Sequence, residues 1–470
     1  RSTSTSVTRL TSSPLDGRET RLLGGMPPFI HEYDASASLA STREELPLLS
    51  SAPNGSLVRF AVIGTGCIGR EHLNNLMLHP NAVIVAIADP NADSRDRAAQ
   101  LLGSARKDVD VYESHLPVLA RTDIDVLILA TPNHTHIEVL RQAIPTGKHV
   151  LCEKPLCTSV EHCIEVLNLH EAQPPDRRGL LWVGMEYRYM APLMRIAHEL
   201  RSDTVGPLRM LSIREHRFPF LQKVGDWNRF NANTGGTLVE KACHFFDLIC
   251  YLNNLPSRAL SKPGRPMPIA VFATGGQALN HTTERYEQGT PDVLDHAYVL
   301  LEFENGARAS LEMSMFAEAS AFQFEVSAVG ERGKLEAFMP GHGDKDEDKS
   351  LPNVRIGRRS EELTSGEWKS TRPPGPEQTK ARVQHVAVHA DARIVAAGDH
   401  HGSTYIELDC VVRAVAERAK MAHVSVADSI LAVAIGMAAH RSIEELRRVP
   451  LAELVDVERL RQMLDAHDGR

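Results

Sequence analysis

The run TLVEKACHFFDL (237–248) carries Glu240, Lys241, His244 and Asp247 in a stretch otherwise suited to a protein core. In a helix, at about 100° per residue, Glu240, His244 and Asp247 would share a face, with Tyr251 a turn further on. Lys241 would lie beside that face, within reach of His244 at i+3. The neighbours Leu238, Val239, Cys243, Phe245 and Phe246 imply burial, where a charge needs a partner or a purpose. Two proton carriers and a carboxylate converging on one patch could exchange a proton with a small substrate.

The first half of the chain offers what such a patch would work with. The segment LVRFAVIGTGCIGREHLNNLMLHP (57–80) reads as a strand, a turn with Gly64, Gly66 and Gly69 in G-x-G-x-x-G order, and a helix. Gly64 permits the tight turn, Gly66 lets the backbone approach a pyrophosphate, and Gly69 allows close helix–strand contact. Cys67 and Ile68 open the helix, whose N-terminal amides and dipole favour an anion. A second strand, AVIVAIADP (82–90), ends in Asp89, about 20 residues after Gly69, where a carboxylate accepts ribose hydroxyls and repels a 2′-phosphate. This favours NAD over NADP, although Arg95 or Arg97 would soften the preference.

Strands and helices then alternate: helix 92–103, strand 109–112, helix 113–121, strand 124–132, helix 134–144, strand 148–155. That order predicts an α/β domain with a doubly wound parallel sheet of Rossmann type. Loops at the carboxyl ends of its strands should line the cofactor cleft, among them Thr131, Pro132, Asn133, His134 and His136, and Glu153, Lys154 and Pro155.

A strand ending in EKP (153–155) after ATPNHTH, followed later by GGTLVEKACHFFD, resembles the glucose–fructose oxidoreductase / inositol dehydrogenase / rhizopine-catabolism family of NAD(P)-dependent oxidoreductases. The likeness covers residues 57–330 and resumes at 404–455. It implies that Lys154 and His244 face nicotinamide and substrate, with the carboxylate of the family's Asp-x-x-x-His pattern falling on Glu240. Glu for Asp is a departure that lengthens the side chain by a methylene; Lys241 is outside the family's pattern. Oxidising a secondary alcohol needs a base for the hydroxyl proton, while the cofactor takes the hydride. Burial and the positive nicotinamide ring would lower the Lys154 pKa towards neutrality. Either Lys154 or His244 can be the proton carrier; the reading adopted has Lys154 polarising the oxygen and His244 relaying the proton.

In the second half, MEYRYMAPLMRIAHEL (185–200) resembles the family's Arg-containing substrate segment, which makes Tyr187 and Arg188 site candidates. Trp227 and Arg229, in the loop GDWNRFNANTGG, are further candidates to border the substrate. Strand-like runs at 208–217, 268–277, 296–316 and 321–338 predict a C-terminal α+β domain built on a large open, mainly antiparallel sheet. By analogy with the family, that sheet would join subunits of a homo-oligomer. Residues 340–382 read as long loops around one short strand, and helices are expected at 404–420 and 426–446, the latter started by Ser425 and Asp428. The divisions are 1–56 as an extension, 57–185 as the dinucleotide domain, 186–403 as the substrate domain and 404–470 as packing helices.

Bulk properties fit a small-molecule enzyme. Among 470 residues, 52 basic side chains face 60 acidic ones, which favours neither nucleic acid nor an anionic membrane as partner. The longest apolar candidate, ILAVAIGMAA (430–439), falls short of the ~18–20 residues of a membrane span. Seven cysteines without a CxxC pair give no disulfide framework, so a reducing, cytoplasmic location is expected. The Ser/Thr/Arg-rich start reads as a plain tail with the fold beginning near Leu57, and His400-His401 as a flexible tip rather than a metal site. The expected function is hydride transfer between nicotinamide and a secondary alcohol or carbonyl of a sugar, sugar derivative or cyclitol. A cofactor-binding regulator on the same fold, or a reductase of a non-sugar molecule, is the alternative.

Overall fold

The computed structural model describes residues 30–34, 55–255, 264–340, 353–359 and 382–468. With β1 at Ile30–Asp34, the first sheet comprises β2 (Val58–Ile63), β3 (Ala82–Ala88), β4 (Asp110–Tyr112), β5 (Val126–Leu129), β6 (His149–Glu153) and β7 (Leu181–Gly184). Its order is β4-β3-β2-β5-β6-β7, and every pairing is parallel. Helices cover both faces, so β5 and β7 are buried along their whole length. The chain direction of the winding reverses between β2 and β5, and the crevice beyond their carboxyl ends is where such a sheet takes a ligand.

The second sheet contains β8 (Leu208–His216), β9 (Pro268–Gly276), β10 (His296–Phe303), β11 (Arg308–Ser314), β12 (Phe322–Gly330), β13 (Gly333–Pro340), β14 (Val354–Arg358), β15 (Arg382–Ala390) and β16 (Val449–Pro450). The order is β1-β15-β14-β13-β12-β8-β11-β10-β9-β16, antiparallel except where β8 runs parallel to β11. On β10, buried Ala297, Val299, Leu301 and Phe303 alternate with exposed Tyr298 and Leu300, so one face packs and the other is open.

Three features depart from the sequence reading. First, β1 lies within the segment taken as a plain tail, and pairs antiparallel with β15, a strand for which the sequence reading made no assignment. Neither strand carries a strong local signal; each is defined by a partner some 350 residues away in sequence, from Ile30 paired with Ala390. Residues 1–29, 35–54, 341–352 and 360–381 lie outside the described residues, and with them most of the stretch read as long loops. Second, the helix Val426–Glu445 is long and apolar enough to cross a membrane, contrary to expectation, yet it packs inside the protein on β9 and on the helix Cys243–Asn254. A helix apolar all round is what a fully enclosed core position selects. Its start is the expected one, a capping box of Ser425 and Asp428.

Third, the opening motif is two helices, Thr237–Glu240 and Cys243–Asn254. At the break the Ala242 amide reaches back five residues to the Thr237 carbonyl, at 3.3 Å, widening the turn. This motif sits against the first sheet's carboxyl edge, and the helix Ser403–Ala416 packs on both the helix Cys67–Leu78 and the segment Glu186–Tyr189. The C-terminal helices thereby tie the two halves together around the crevice.

Candidate active site

The glycine turn has the shape that a pyrophosphate requires. A Cβ at Gly64 would strike the Ala130 carbonyl of the neighbouring strand end, and one at Gly69 would strike the Gly64 carbonyl. Gly66 has open space where its Cβ would be, at the N-terminus of the helix Cys67–Leu78. Cys67 is exposed and Ile68 half-buried at that helix start. Asp89 closes the far side of the turn: its carboxylate accepts from the Thr65 amide at 2.7 Å and from the Asn91 amide at 2.8 Å. Arg95 donates to the Asp89 and Pro90 carbonyls and pairs with Glu113, so its guanidinium is engaged. These residues fit an adenosine dinucleotide.

Beyond the end of β5, the Thr131 hydroxyl accepts from the Thr135 hydroxyl at 2.8 Å, and the Asn133 side-chain amide is buried without a partner. His136 lies inside, its ring between the Thr131 carbonyl at 3.0 Å and the Pro155 carbonyl at 2.9 Å. It clamps two strand ends together instead of presenting its ring to a cofactor. Glu153 also turns inward, to His72 at 2.7 Å. Pro132 leads into the turn that carries His134, whose ring meets Trp227 edge-on with centroids 6.2 Å apart.

Lys154, following β6, donates its ammonium to the Glu240 carbonyl at 3.1 Å, so the EKP segment and the opening motif meet. Burial, the largest influence, pushes the Lys154 pKa down, but Cys243, Glu240, Glu186 and Glu153 together hold it above the ordinary lysine value. This is the reverse of the expected lowering, because the surrounding acids outweigh the loss of water. His244 is the opposite case. It is 2% exposed, and burial reinforced by Lys154, Lys241, His400 and Arg217 drives its pKa well below the ordinary histidine value. His244 is therefore neutral at pH 7, its Nε2 lies 3.7 Å from a Glu186 oxygen, and its Nδ1 has no hydrogen-bond partner. The Glu240 carboxyl is buried too, with its pKa raised by burial against the pull of nearby cations, and its Oε2 is likewise unpartnered.

Lys241 is engaged by other partners than His244. Its ammonium pairs with Glu215 at 3.0 Å and donates to the Tyr187 hydroxyl at 2.6 Å. Burial is the main reason its pKa falls to about 8. Tyr187 in turn stacks on His244 at 4.1 Å between centroids and on Phe324 at 5.3 Å, fixing the imidazole plane. Lys241 thus braces the stack that orients His244.

Arg188 is placed differently from the sequence expectation of substrate contact. Its guanidinium grips Asp247 through two hydrogen bonds, one at 2.7 Å, and Asp428 at 3.1 Å, and it is 5% exposed. Asp247 accordingly belongs to this internal cluster and not to the patch of Glu240 and His244. Arg229 is spent on Glu284 at 3.1 Å. The structure brings together Lys154, Glu240 and His244, sets Trp227 against His134, and directs Arg188 and Arg229 elsewhere.

Sequence reasoning missed Glu186, Glu215 and His400. Glu186 follows a buried strand end, a position that could have been flagged with its neighbours Tyr187 and Arg188. His400, taken for a flexible tip, is inserted between Glu71 at 2.8 Å and Glu186 at 3.6 Å. Only the tertiary fold reveals it. Among the described residues no group of three His, Cys, Asp or Glu side chains converges as a metal site would.

A dinucleotide cradle facing a buried lysine and histidine defines an oxidoreductase of the nicotinamide-dependent kind. The chain belongs to the oxidoreductase family whose NAD-binding Rossmann fold it matches over residues 58–175 and whose C-terminal alpha/beta domain it matches over residues 198–451. Similar proteins include inositol 2-dehydrogenase 3 of Saccharopolyspora erythraea, 28% identical over 282 residues, spanning 59% of this chain and 72% of that protein. Inositol 2-dehydrogenase of Gluconacetobacter diazotrophicus is 27% identical over 274 residues, 58% of this chain and 72% of that protein. Among solved structures, levoglucosan dehydrogenase in complex with NADH shares the fold at a TM-score of 0.63 and 19% identity, over 84% of this chain and 99% of that one. GenD2 from gentamicin A biosynthesis, in complex with NAD, does so at 0.62 and 23%, over 87% and 99%.

Proposed function

We propose that this enzyme transfers a hydride between NAD and a secondary alcohol of a sugar, sugar derivative or cyclitol, with Lys154 and His244 as its acid–base groups. The observation that carries the reading is a charged Lys154 beside a neutral His244 whose Nδ1 is unpartnered, next to the dinucleotide crevice. Bound nicotinamide supplies the hydride acceptor. Lys154, kept protonated, stabilises negative charge developing on the reacting oxygen. His244, kept neutral, takes the hydroxyl proton. Glu240 offers an unpartnered carboxyl oxygen to a second hydroxyl, as a polyol would present, and Trp227 walls the entrance. The similarity to inositol 2-dehydrogenases supports the polyol class.

NAD is preferred over NADP on this reading, because Asp89 retains lone pairs for the ribose hydroxyls while Arg95 is tied to backbone carbonyls and Glu113. Gly64, Gly66, Cys67, Ile68 and Gly69 would hold the pyrophosphate. The open face of the second sheet, with exposed Met210, Phe272, Tyr298 and Leu300, supports subunit association there. All seven cysteines are free thiols, as a reducing cytoplasm would keep them. The test is reduction of NAD or NADP with a panel of cyclitols and sugars. Turnover on a polyol is the expected result, and binding of NAD without turnover on any of them is the contrary one.

A further inference from the structure

Behind His244 lies a chain of ionisable groups that the reaction as described does not use. His244 Nε2 lies 3.7 Å from Glu186 Oε1, and His400 Nε2 lies 3.6 Å from the same oxygen. His400 Nδ1 meets Glu71 at 2.8 Å, and Glu71 also accepts from the Thr404 hydroxyl at 2.8 Å. His244 and Glu186 are shut away from water, whereas the His400 side chain is 23% exposed. The segment bearing His400 is seated tightly, since a Cβ at Gly398 would collide with the Glu71 carboxylate.

We propose that Glu186 and His400 form a proton path that links His244 to solvent, with Glu71 holding His400 in place. The inference rests on the reading of His244 as the group that takes the substrate proton. In alcohol oxidation the C–H bond breaks with its electron pair passing to NAD, and the O–H proton goes to His244 Nδ1. The Nε2 proton of His244 then moves to Glu186 Oε1; His400, a cation, gives its Nε2 proton to water and takes the Glu186 proton at the same nitrogen, its Nδ1 staying bonded to Glu71. The sum is one proton from substrate to solvent; Glu186 and His400 are restored at once, and His244, left with its proton on Nδ1, returns to the Nε2–H form by proton exchange with water when product has left the site. The two gaps at Glu186 exceed hydrogen-bond length, and contacts of this kind tighten when substrate closes the site.

The surroundings suit the role. Burial raises the Glu186 pKa, with Glu153 and Glu71 acting in the same direction and His400 and Lys154 against it, so its carboxyl holds a proton more readily than an ordinary glutamate. Burial acts to lower the His400 pKa, but Glu71 and Glu186 lift it to about 9 against Lys241. Glu407, also buried, faces Glu186 and Glu153 from the helix Ser403–Ala416.

Glu186 and His400 act through His244 and are positioning residues, so the test needs readouts beyond a drop in rate. Histidine-selective NMR on the full chain without substrate gives the first: the His244 ring signals should shift as His400 titrates, and Glu186→Gln should abolish that response. Independent behaviour of the two rings in the unsubstituted protein overturns the proposal. In NAD reduction assays, His400→Ala should lower kcat by about tenfold, less than the ~10²–10⁴ of a direct acid–base group, with KM little changed. Added imidazole should restore it. A His400→Ala enzyme with unchanged kcat, or a loss that imidazole does not restore, contradicts the path. If His244→Ala is fully active, the reading of the site fails and the path fails with it; if His244→Ala is dead and His400→Ala is not affected, the path alone fails.

Discussion

Two buried charge clusters lie a few residues apart on the helix Cys243–Asn254, and they are built on opposite terms. Around Asp247, each side chain has an ion-pair partner: Arg188 pairs with Asp247 and Asp428, and Arg265 pairs with Asp428 at 2.9 Å, its Nε alone lacking a hydrogen bond. Around His244, polar atoms are left open: His244 Nδ1 and Glu240 Oε2 are buried without partners, and Glu186 reaches its histidines only at long range. A cluster whose charges are paired holds the helix in place. An underpaired one costs stability and persists where a ligand completes it. The contrast separates scaffold from chemistry within one helix.

The comparison can be broken from either side. The largest effect on stability is expected from Arg188→Met, which removes the partner of buried Asp247 and leaves Asp428 with Arg265 alone, and should cost about 3–5 kcal/mol in denaturant unfolding. An unchanged midpoint would show that the paired cluster is not the scaffold. Asp89→Ala should weaken NAD by about 1.5–3 kcal/mol in a binding titration, the scale of hydrogen bonds to a charged group, and NADP by less. Equal weakening of both would mean that Asp89 does not read the 2′ position.

A pH dependence follows from the Glu71–His400 contact. Burial opposes the shift in each group, but His400 brings Glu71 from 4.5 to about 2, and Glu71 and Glu186 bring His400 from 6.5 to about 9. A lowered carboxylate pKa stabilises above the unfolded value, and a raised histidine pKa stabilises below it. The contact should therefore stabilise fully between pH 4.5 and 6.5, and fade as pH rises through about 9 or falls through about 2. The difference in melting temperature between the unsubstituted protein and His400→Phe should be widest near the middle of that window; a difference independent of pH would contradict the pairing. The smallest effect is expected of Glu240→Asp, which restores the residue more usual in the family pattern and should change kcat/KM by less than about tenfold, since it moves a carboxyl by one methylene without removing it.

The same contrast explains what the sequence could and could not tell. The nucleotide half was legible because its signals are local: Gly64, Gly66 and Gly69 lie within one turn, and Asp89 ends the next strand. Lys154, Glu240 and His244 were legible as short motifs. Arg188 was misread because its type suits a substrate site equally well, and only the arrival of Asp428, far along the chain, shows that it is engaged. His400 and Glu71 were illegible for the same reason, being joined across 329 residues. The single-helix reading of the opening motif failed because periodicity cannot register a widened turn at Lys241 and Ala242.

The most direct test of the central claim is NAD reduction, followed by absorbance near ~340 nm, in the unsubstituted protein, Lys154→Met and His244→Ala, with NAD binding titrated in each. Turnover on a polyol that falls by ~10²–10⁴ in both variants, with NAD binding retained, is the predicted result. Turnover that survives both substitutions would show that the underpaired cluster is not where the chemistry happens.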